Sequence, residues 1–259
     1  MNTDVLALQD GHSSIRQYQN KAIEADLLQK ILLTGTRAAT SGNMQFYAMV
    51  LTQDPQQKQK LYQAHGEQAM ILQAPVLITF CADLHRMQRW FDVREAKTSF
   101  ANEVSLIRGI IDASLLAQNV VLAAEAMDLG TCYMGSTLKG IKEIVNILNL
   151  PKLVVPVTTI CMGYPAEEKK RIERLPLAAV VHNESYDSFN AERIDTVYSQ
   201  REQDYWLRFT QNPQRKKVLD RDNVSNVAQA YRALKYDQQE LEDYSKNLWE
   251  CYQTQFLSV

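Results

Sequence analysis

The chain has 259 residues, 46% hydrophobic and 22% charged, which fits one good-sized folded domain or a domain with an extension and argues against disorder. Its 28 basic and 30 acidic residues leave a net charge of −2, so the basic excess of a nucleic-acid or anionic-membrane binder is missing and phosphate recognition must come from local clusters. Met1-Asn2-Thr3-Asp4 offers neither a basic nor an apolar leader. The apolar run over 107–129 is broken by Arg108, Asp112, Gln118, Asn119, Glu125 and Asp128, whereas a membrane span needs about 20 nearly uninterrupted apolar residues. Cys81, Cys132, Cys161 and Cys251 lie far apart with no metal-ligand or CxxC spacing, so reduced core thiols and a cytoplasmic location are expected.

In chain order, a short amphipathic helix is expected over 4–9, closed by Gly11, a residue suited to the left-handed position. Leu27, Leu28, Ile31 and Leu32 recur at helical spacing within a helix over 23–37. Residues 46–52 read as a strand, and Asp54 followed by Pro55 starts a helix to Ala64. The continuous apolar run 75–81 predicts a strand covered on both faces. The longest helical pattern, 102–129, carries Val104, Ile107, Ile110, Ile111, Leu115, Leu116, Val120, Val121, Leu122 and Met127 around much of its axis. Such a helix must be buried on most faces, one against a sheet and another against a second subunit. A strand over 130–135, a helix over 139–148 and a strand over 154–162 follow. All nine glycines lie at or before Gly163, and from Asp204 the chain is polar, rich in Tyr and Gln, and helix-prone. Interleaved helices and short strands make the fold α/β or α+β with mixed topology.

Several familiar chemistries find no motif here. No GxGxxG follows a strand, and Gly135-Ser-Thr-Leu-Lys-Gly140-Ile-Lys142 lacks the Lys-Ser/Thr pair of a phosphate loop. No GxSxG or HExxH occurs, and His12, His65, His85 and His182 have no metal-ligand spacing, so no metal is expected. An enzyme without a protein nucleophile or metal needs a cofactor.

Four segments remain. Gly11-His12-Ser13-Ser14-Ile15-Arg16 places an imidazole, two hydroxyls and a guanidinium on an extended piece after a helix end, a donor set for an anion. Thr40-Ser41-Gly42 belongs to a small hydroxyl-rich loop. Thr131 to Ser136 ends a strand in Gly135, which lets backbone approach a flat ligand. Gly163-Tyr164-Pro165 leads to a basic run, Lys169-Lys170-Arg171, and to Arg174-Leu175-Pro176.

In this order the segments resemble the FMN-dependent nitroreductases, in particular their NADPH-flavin oxidoreductase branch. Further shared segments are Gly66-Glu67-Gln68, Ala74-Pro75 through Phe80-Cys81-Ala82-Asp83, and Ala117-Gln118-Asn119 through Ala124-Glu125 to Leu129-Gly130. The resemblance covers about residues 8–187. It implies an α+β nitroreductase fold, a mixed, mainly antiparallel sheet wrapped by helices. It also implies a core over 1–187, a helical C-terminal extension over 188–259 packing on the core and on the partner subunit, and a homodimer with FMN between subunits. By the same resemblance His12, Ser13, Ser14, Ile15, Arg16, Thr40, Ser41, Gly42, Gln68, Tyr133, Met134, Gly135, Ser136 and Arg174 contact FMN. Within this set His12, Ser14 and Arg174 meet the phosphate, and Gln68 reads the pyrimidine edge as donor and acceptor. Arg16 is the catalytic residue, stabilising reduced flavin. Arg208, Arg215 and Lys216 hold NADPH.

The activity implied is transfer of a hydride from NAD(P)H to flavin N5, then of two electrons to nitroaromatics, quinones or free flavin. A low-turnover FMN reservoir or redox partner, or a specialised flavin reductase, is the alternative. Two places depart from the family pattern. Ser13 replaces a common arginine, and Ile172-Glu173-Arg174 replaces Lys-Pro-Arg, which leaves Lys170 or Arg171 to supply the missing lysine's charge.

Overall fold

The computed structural model describes residues 4–168 and 170–258. Met1–Thr3, on which part of the leader expectation rests, and Lys169 of the basic run lie outside the described residues. By contacts the chain forms two compact units, residues 1–171 with 244–259, and residues 172–243.

In the first unit Asp4 caps α1 (Val5–Asp10), its carboxylate accepting from Leu6 N and Ala7 N. Gly11 ends this helix with φ −79°, so the expected left-handed closure is corrected: its N–H simply continues the helical pattern to Ala7 O. Then come α2 (Ala25–Gly35), β1 (Tyr47–Thr52) and α3 (Pro55–Ala64). Asp54 Oδ1 accepts from Gln57 N at 2.8 Å and Pro55 occupies the first turn, as the Asp-Pro pair predicts. The short α4 (Met70–Gln73), β2 (Val76–Asp83), α5 (His85–Val93), α6 (Glu103–Glu125), β3 (Gly130–Met134), α7 (Ile141–Ile147) and β4 (Val154–Gly163) complete the order.

The sheet runs β1-β2-β4-β3 with every ladder antiparallel. One isolated parallel bridge, Ser14 to Thr131, adds the N-terminal segment to the β3 edge. All eight residues of β2 are buried, as a strand covered on both faces requires. Helix α6 packs across the sheet, with α2 beside it. Gly109 touches β2 so closely that a Cβ there would lie 2.9 Å from Ala82 Cβ, and a Cβ at Gly35 of α2 would lie 2.3 Å from Val120 Cγ2. Asn102 caps α6 by accepting from Ser105 N at 2.9 Å. The helix ends at Glu125, earlier than the apolar pattern suggests, because Asp128 turns left-handed (φ 61°) and Leu129 N returns to Ala124 O.

Helix α6 is long and apolar enough to cross a membrane by length and composition. Here Leu106, Ala113, Leu116, Ala117, Val120, Val121 and Ala124 are buried, while Val104, Ile107, Ile111 and Leu115 are 58, 55, 50 and 44% exposed and form a stripe. The four cysteines are free and buried. Burial pushes the Cys81 thiol up to about 12 and Cys251 to about 11, so both are inert thiols at neutral pH.

The second unit holds α8 (Ala191–Thr210), α9 (Pro213–Arg221) and α10 (Val227–Lys235), each capped by an asparagine: Asn190, Asn212 and Asn226. Phe209, Leu219, Val227 and Ala230 form its small core. Helix α11 (Gln238–Tyr252) begins here, and its C-terminal part belongs to the first unit. There Phe256 is fully buried and Leu153 N donates to Gln255 O at 3.0 Å.

Candidate active site

The N-terminal segment is placed by Ile15. Its N–H donates to Thr131 O at 2.8 Å, its carbonyl accepts from the Tyr18 hydroxyl at 2.6 Å, and its side chain, 1% exposed, sits on Gly130. A Cβ at Gly130 would lie 2.6 Å from Ile15 Cγ1, so the glycine is what lets the segment lie on β3. Ile15 is therefore an anchor whose own polar groups are engaged, with Ser14 and Arg16 on either side of it. Burial of the Tyr18 phenol raises its pKa far above the ordinary value, so it stays a neutral donor.

His12 Nδ1 lies 2.7 Å from Glu125 Oε1, and the Glu125 side chain is 4% exposed against 26% for His12. Thr131 Oγ1 donates to the same carboxylate oxygen at 3.5 Å. The Glu125 carboxylate thus engages Nδ1 and leaves Nε2 as the ring nitrogen that it does not hold. Ser13 Oγ accepts from Lys170 N at 3.2 Å. Arg171 pairs with Asp10 at 2.9 Å, and the Lys170 backbone stands at the His12–Ser14 segment. Arg16 is exposed; its N–H donates to Glu167 Oε1 at 2.5 Å and its Nη1 to Ser14 O at 3.5 Å. Glu167 also accepts from Gln17 N, and Ala166 N donates to Gln17 O, which pins the chain after β4 against this segment.

At the other end of β3, Met134 is 1% exposed and belongs to the core, whereas Tyr133 is 37% exposed with its hydroxyl on Gln118 Oε1 at 3.3 Å. Burial raises the Tyr133 phenol well above its ordinary value. Gly135 carries no neighbour within 4 Å of where a Cβ would stand, so its backbone faces open space. Ser136 Oγ accepts from Gln68 Nε2 at 2.8 Å, and the buried His65 joins the pair through Nδ1 at 2.9 Å. The structure thereby brings 12–16, 65–68 and 131–136 onto one edge of the sheet.

Thr40, Ser41 and Gly42 are tied elsewhere. Ser41 N and Oγ donate to Asp112 Oδ1 at 2.9 and 3.0 Å, and Phe46 N donates to Oδ2 at 3.2 Å. Asp112 is fully buried on α6, so it anchors this loop to the helix. Gly42 has φ +58°, and the buried Thr40 Oγ1 has no partner among the described residues.

In the second unit Arg174 is exposed on irregular backbone. Arg208 lies over Tyr205 at 5.2 Å and Arg215 over Phe209 at 5.6 Å, two rings in edge contact. Lys216 is bound to Asp220 at 2.8 Å, so the structure joins the two arginines and commits the lysine to a helical ion pair.

Four residues that support this site had no role in the sequence reading: His65, Asp112, Glu125 and Glu167. Asp112 and Glu125 did carry a signal, as acids interrupting an apolar helix, since a buried carboxylate must be paired or hydrogen-bonded. Glu167 sits in a charged loop where nothing distinguishes it from Glu168.

Comparison with known proteins accords with this geometry. A sequence model described as the nitroreductase family matches residues 10–164. An FMN reductase (NAD(P)H) of Bacillus subtilis is 34% identical over 188 residues, 72% of this chain and 75% of that protein. A solved Bacteroides fragilis protein, provisionally described as an oxidoreductase, superposes with a TM-score of 0.87 at 35% identity over 96% of this chain and 98% of its own. The NADPH:FMN oxidoreductase of Vibrio harveyi, solved with NAD+, has a TM-score of 0.71 at 25% identity, covering 91% and 97%.

Proposed function

Because this chain belongs to the nitroreductase family, we propose that it is an FMN-dependent oxidoreductase that draws on NAD(P)H and holds the flavin along the β3 edge. The observation that carries this reading is the pairing of two chemically different ends on one strand. One end gathers His12, Ser13, Ser14 and Arg16, donors suited to a phosphate and to developing negative charge; the other gathers the amide of Gln68 and the hydroxyl of Ser136, with Gly135 open between them. That donor set fits FMN. When bound, FMN supplies the redox chemistry, taking a hydride from the nicotinamide at N5 and passing two electrons to a nitroaromatic, a quinone or free flavin.

The residues bind, orient and stabilise charge. His12 and Ser14 hold the phosphate, and the backbone of Tyr133 to Ser136 forms the wall. Arg16 supplies a fixed cation for the pyrimidine edge, where charge gathers on reduction. Arg208 and Arg215 are assigned to the nicotinamide nucleotide. The exposed stripe of α6 is assigned to a homodimer, and the free, buried cysteines favour a reducing, cytoplasmic setting.

The test is stopped-flow bleaching of bound flavin by NADPH on protein of known FMN occupancy. Arg16→Ala is expected to keep most of its FMN and to slow reduction roughly 10- to 1000-fold, the equivalent of about 2–4 kcal/mol of charge stabilisation. A wild-type rate per bound flavin removes the role of Arg16. Wild-type bleaching only over hours with either nicotinamide replaces the enzyme by a flavin reservoir.

A further inference from the structure

Three polar side chains close on one another where the end of α3 meets the turn after β3. His65 is fully buried, and its carbonyl accepts from Gln68 Nε2 at 2.9 Å. The same Nε2 donates to Ser136 Oγ at 2.8 Å, and Ser136 Oγ lies 2.9 Å from His65 Nδ1. His65 Nε2, in contrast, has no partner among the described residues. Backbone geometry enforces the meeting. Gly66 and Glu67 both take positive φ, 69° and 58°, and so turn the chain back until Gln68 reaches the His65 carbonyl. Gly140 lets the segment after β3 press on α3, since a Cβ there would stand 2.1 Å from Ala64 O.

The amide hydrogens of Gln68 can be assigned from this geometry. A carbonyl oxygen only accepts, so Gln68 must turn its NH2 group, and not its oxygen, toward His65 O. One amide hydrogen goes there and the other to Ser136 Oγ. His65 Nδ1 and Ser136 Oγ share one hydrogen, carried by the hydroxyl or by Nδ1 according to the ring's tautomer. Burial lowers the His65 pKa to about 4, so the ring is neutral and carries a single proton.

We propose that His65 is a positioning residue that, through Ser136, locks the Gln68 amide with both hydrogens engaged, so that Gln68 meets the flavin as a hydrogen-bond acceptor only. The inference rests on the flavin reading above and narrows it, because Gln68 was expected to serve as donor and acceptor. The pyrimidine ring of an oxidised flavin has a single N–H, at N3, among several acceptors. An acceptor-only Gln68 therefore selects N3–H.

The test compares binding of FMN and 3-methyl-FMN, followed by flavin fluorescence, in the wild type, His65→Asn and His65→Leu. Asparagine keeps an acceptor near the position of Nδ1 and leucine does not; the bulk of the methyl group is common to all three proteins, so only changes in the ratio are read. The wild type is expected to prefer FMN roughly tenfold or more, the worth of one buried hydrogen bond. His65→Asn should keep that ratio, and His65→Leu should weaken FMN binding about tenfold and shrink the ratio to about threefold or less. Should His65→Leu fail to fold, 15N NMR of the wild-type glutamine side-chain amides decides: both Gln68 amide hydrogens protected from solvent exchange supports the lock. A wild-type ratio in His65→Leu, or rapid exchange of either Gln68 amide hydrogen, overturns the inference and leaves the flavin reading standing. A wild type that binds neither flavin overturns both.

Discussion

Glu125 decides what His12 can offer a ligand. Its buried carboxylate holds His12 Nδ1 at 2.7 Å, which fixes the ring and leaves Nε2 as the nitrogen a phosphate would meet. Glu125→Gln is expected to weaken FMN roughly 10- to 100-fold, the loss of one charge-assisted contact, while riboflavin, which lacks the phosphate, binds as before. Equal losses for both flavins in a titration would refute the pairing. His65 gives a pH dependence of stability. Its folded pKa, about 4, lies below the ordinary value near 6.5, so the unfolded chain binds the extra proton more readily. The associated stability is complete above about pH 6.5 and is lost as pH falls toward 4, by up to roughly 3 kcal/mol. Urea midpoints over that range should fall less steeply for His65→Asn than for the wild type; parallel curves would contradict the assignment. Neither role was readable from the chain. A histidine in a sequence carries no sign of its burial, and the partners here are 113 and 71 residues away.

Among the elements, α6 has the most to explain. One face packs on the sheet and on α2, yet Val104, Ile107, Ile111 and Leu115 stay exposed at helical spacing. A second subunit is expected to cover them. Burying each such side chain contributes about 1.5–3 kcal/mol, so Ile107→Asp with Ile111→Asp should convert the species in light scattering from about twice 29.6 kDa to the 29.6 kDa chain. An unchanged mass would place the interface elsewhere. This helix was legible because its apolar residues repeat over so many turns, and β2 because it is an unbroken apolar run. Asp54-Pro55 fixed the start of α3 by chemistry alone. Helix α5 was not read: Met87, Trp90 and Phe91 do recur at helical spacing, but over only nine residues among charged neighbours. Helix α8 starts at Asn190, well before the polar stretch beginning at Asp204 drew notice, because only its asparagine cap marks the beginning.

At the scale of the whole molecule, the sheet and its helices are those of the nitroreductase family, and the sequence motifs that pointed there are the ones packed along β3. Gly130 and Gly140 allow close approaches, to Ile15 and to the end of α3, while Gly135 faces open space. A motif shows such residues in order, but the hydrogen bonds that join 12–16 to 131 and 68 to 136 exist only once the chain has folded. If this edge binds FMN, NAD(P)H must be able to reduce the flavin it holds. The most direct measurement is the visible absorbance spectrum of the purified protein, reconstituted with FMN if needed, before and after anaerobic addition of NADPH. A flavin spectrum with one FMN per chain that bleaches promptly is expected. A colourless protein that takes up no added FMN would contradict it.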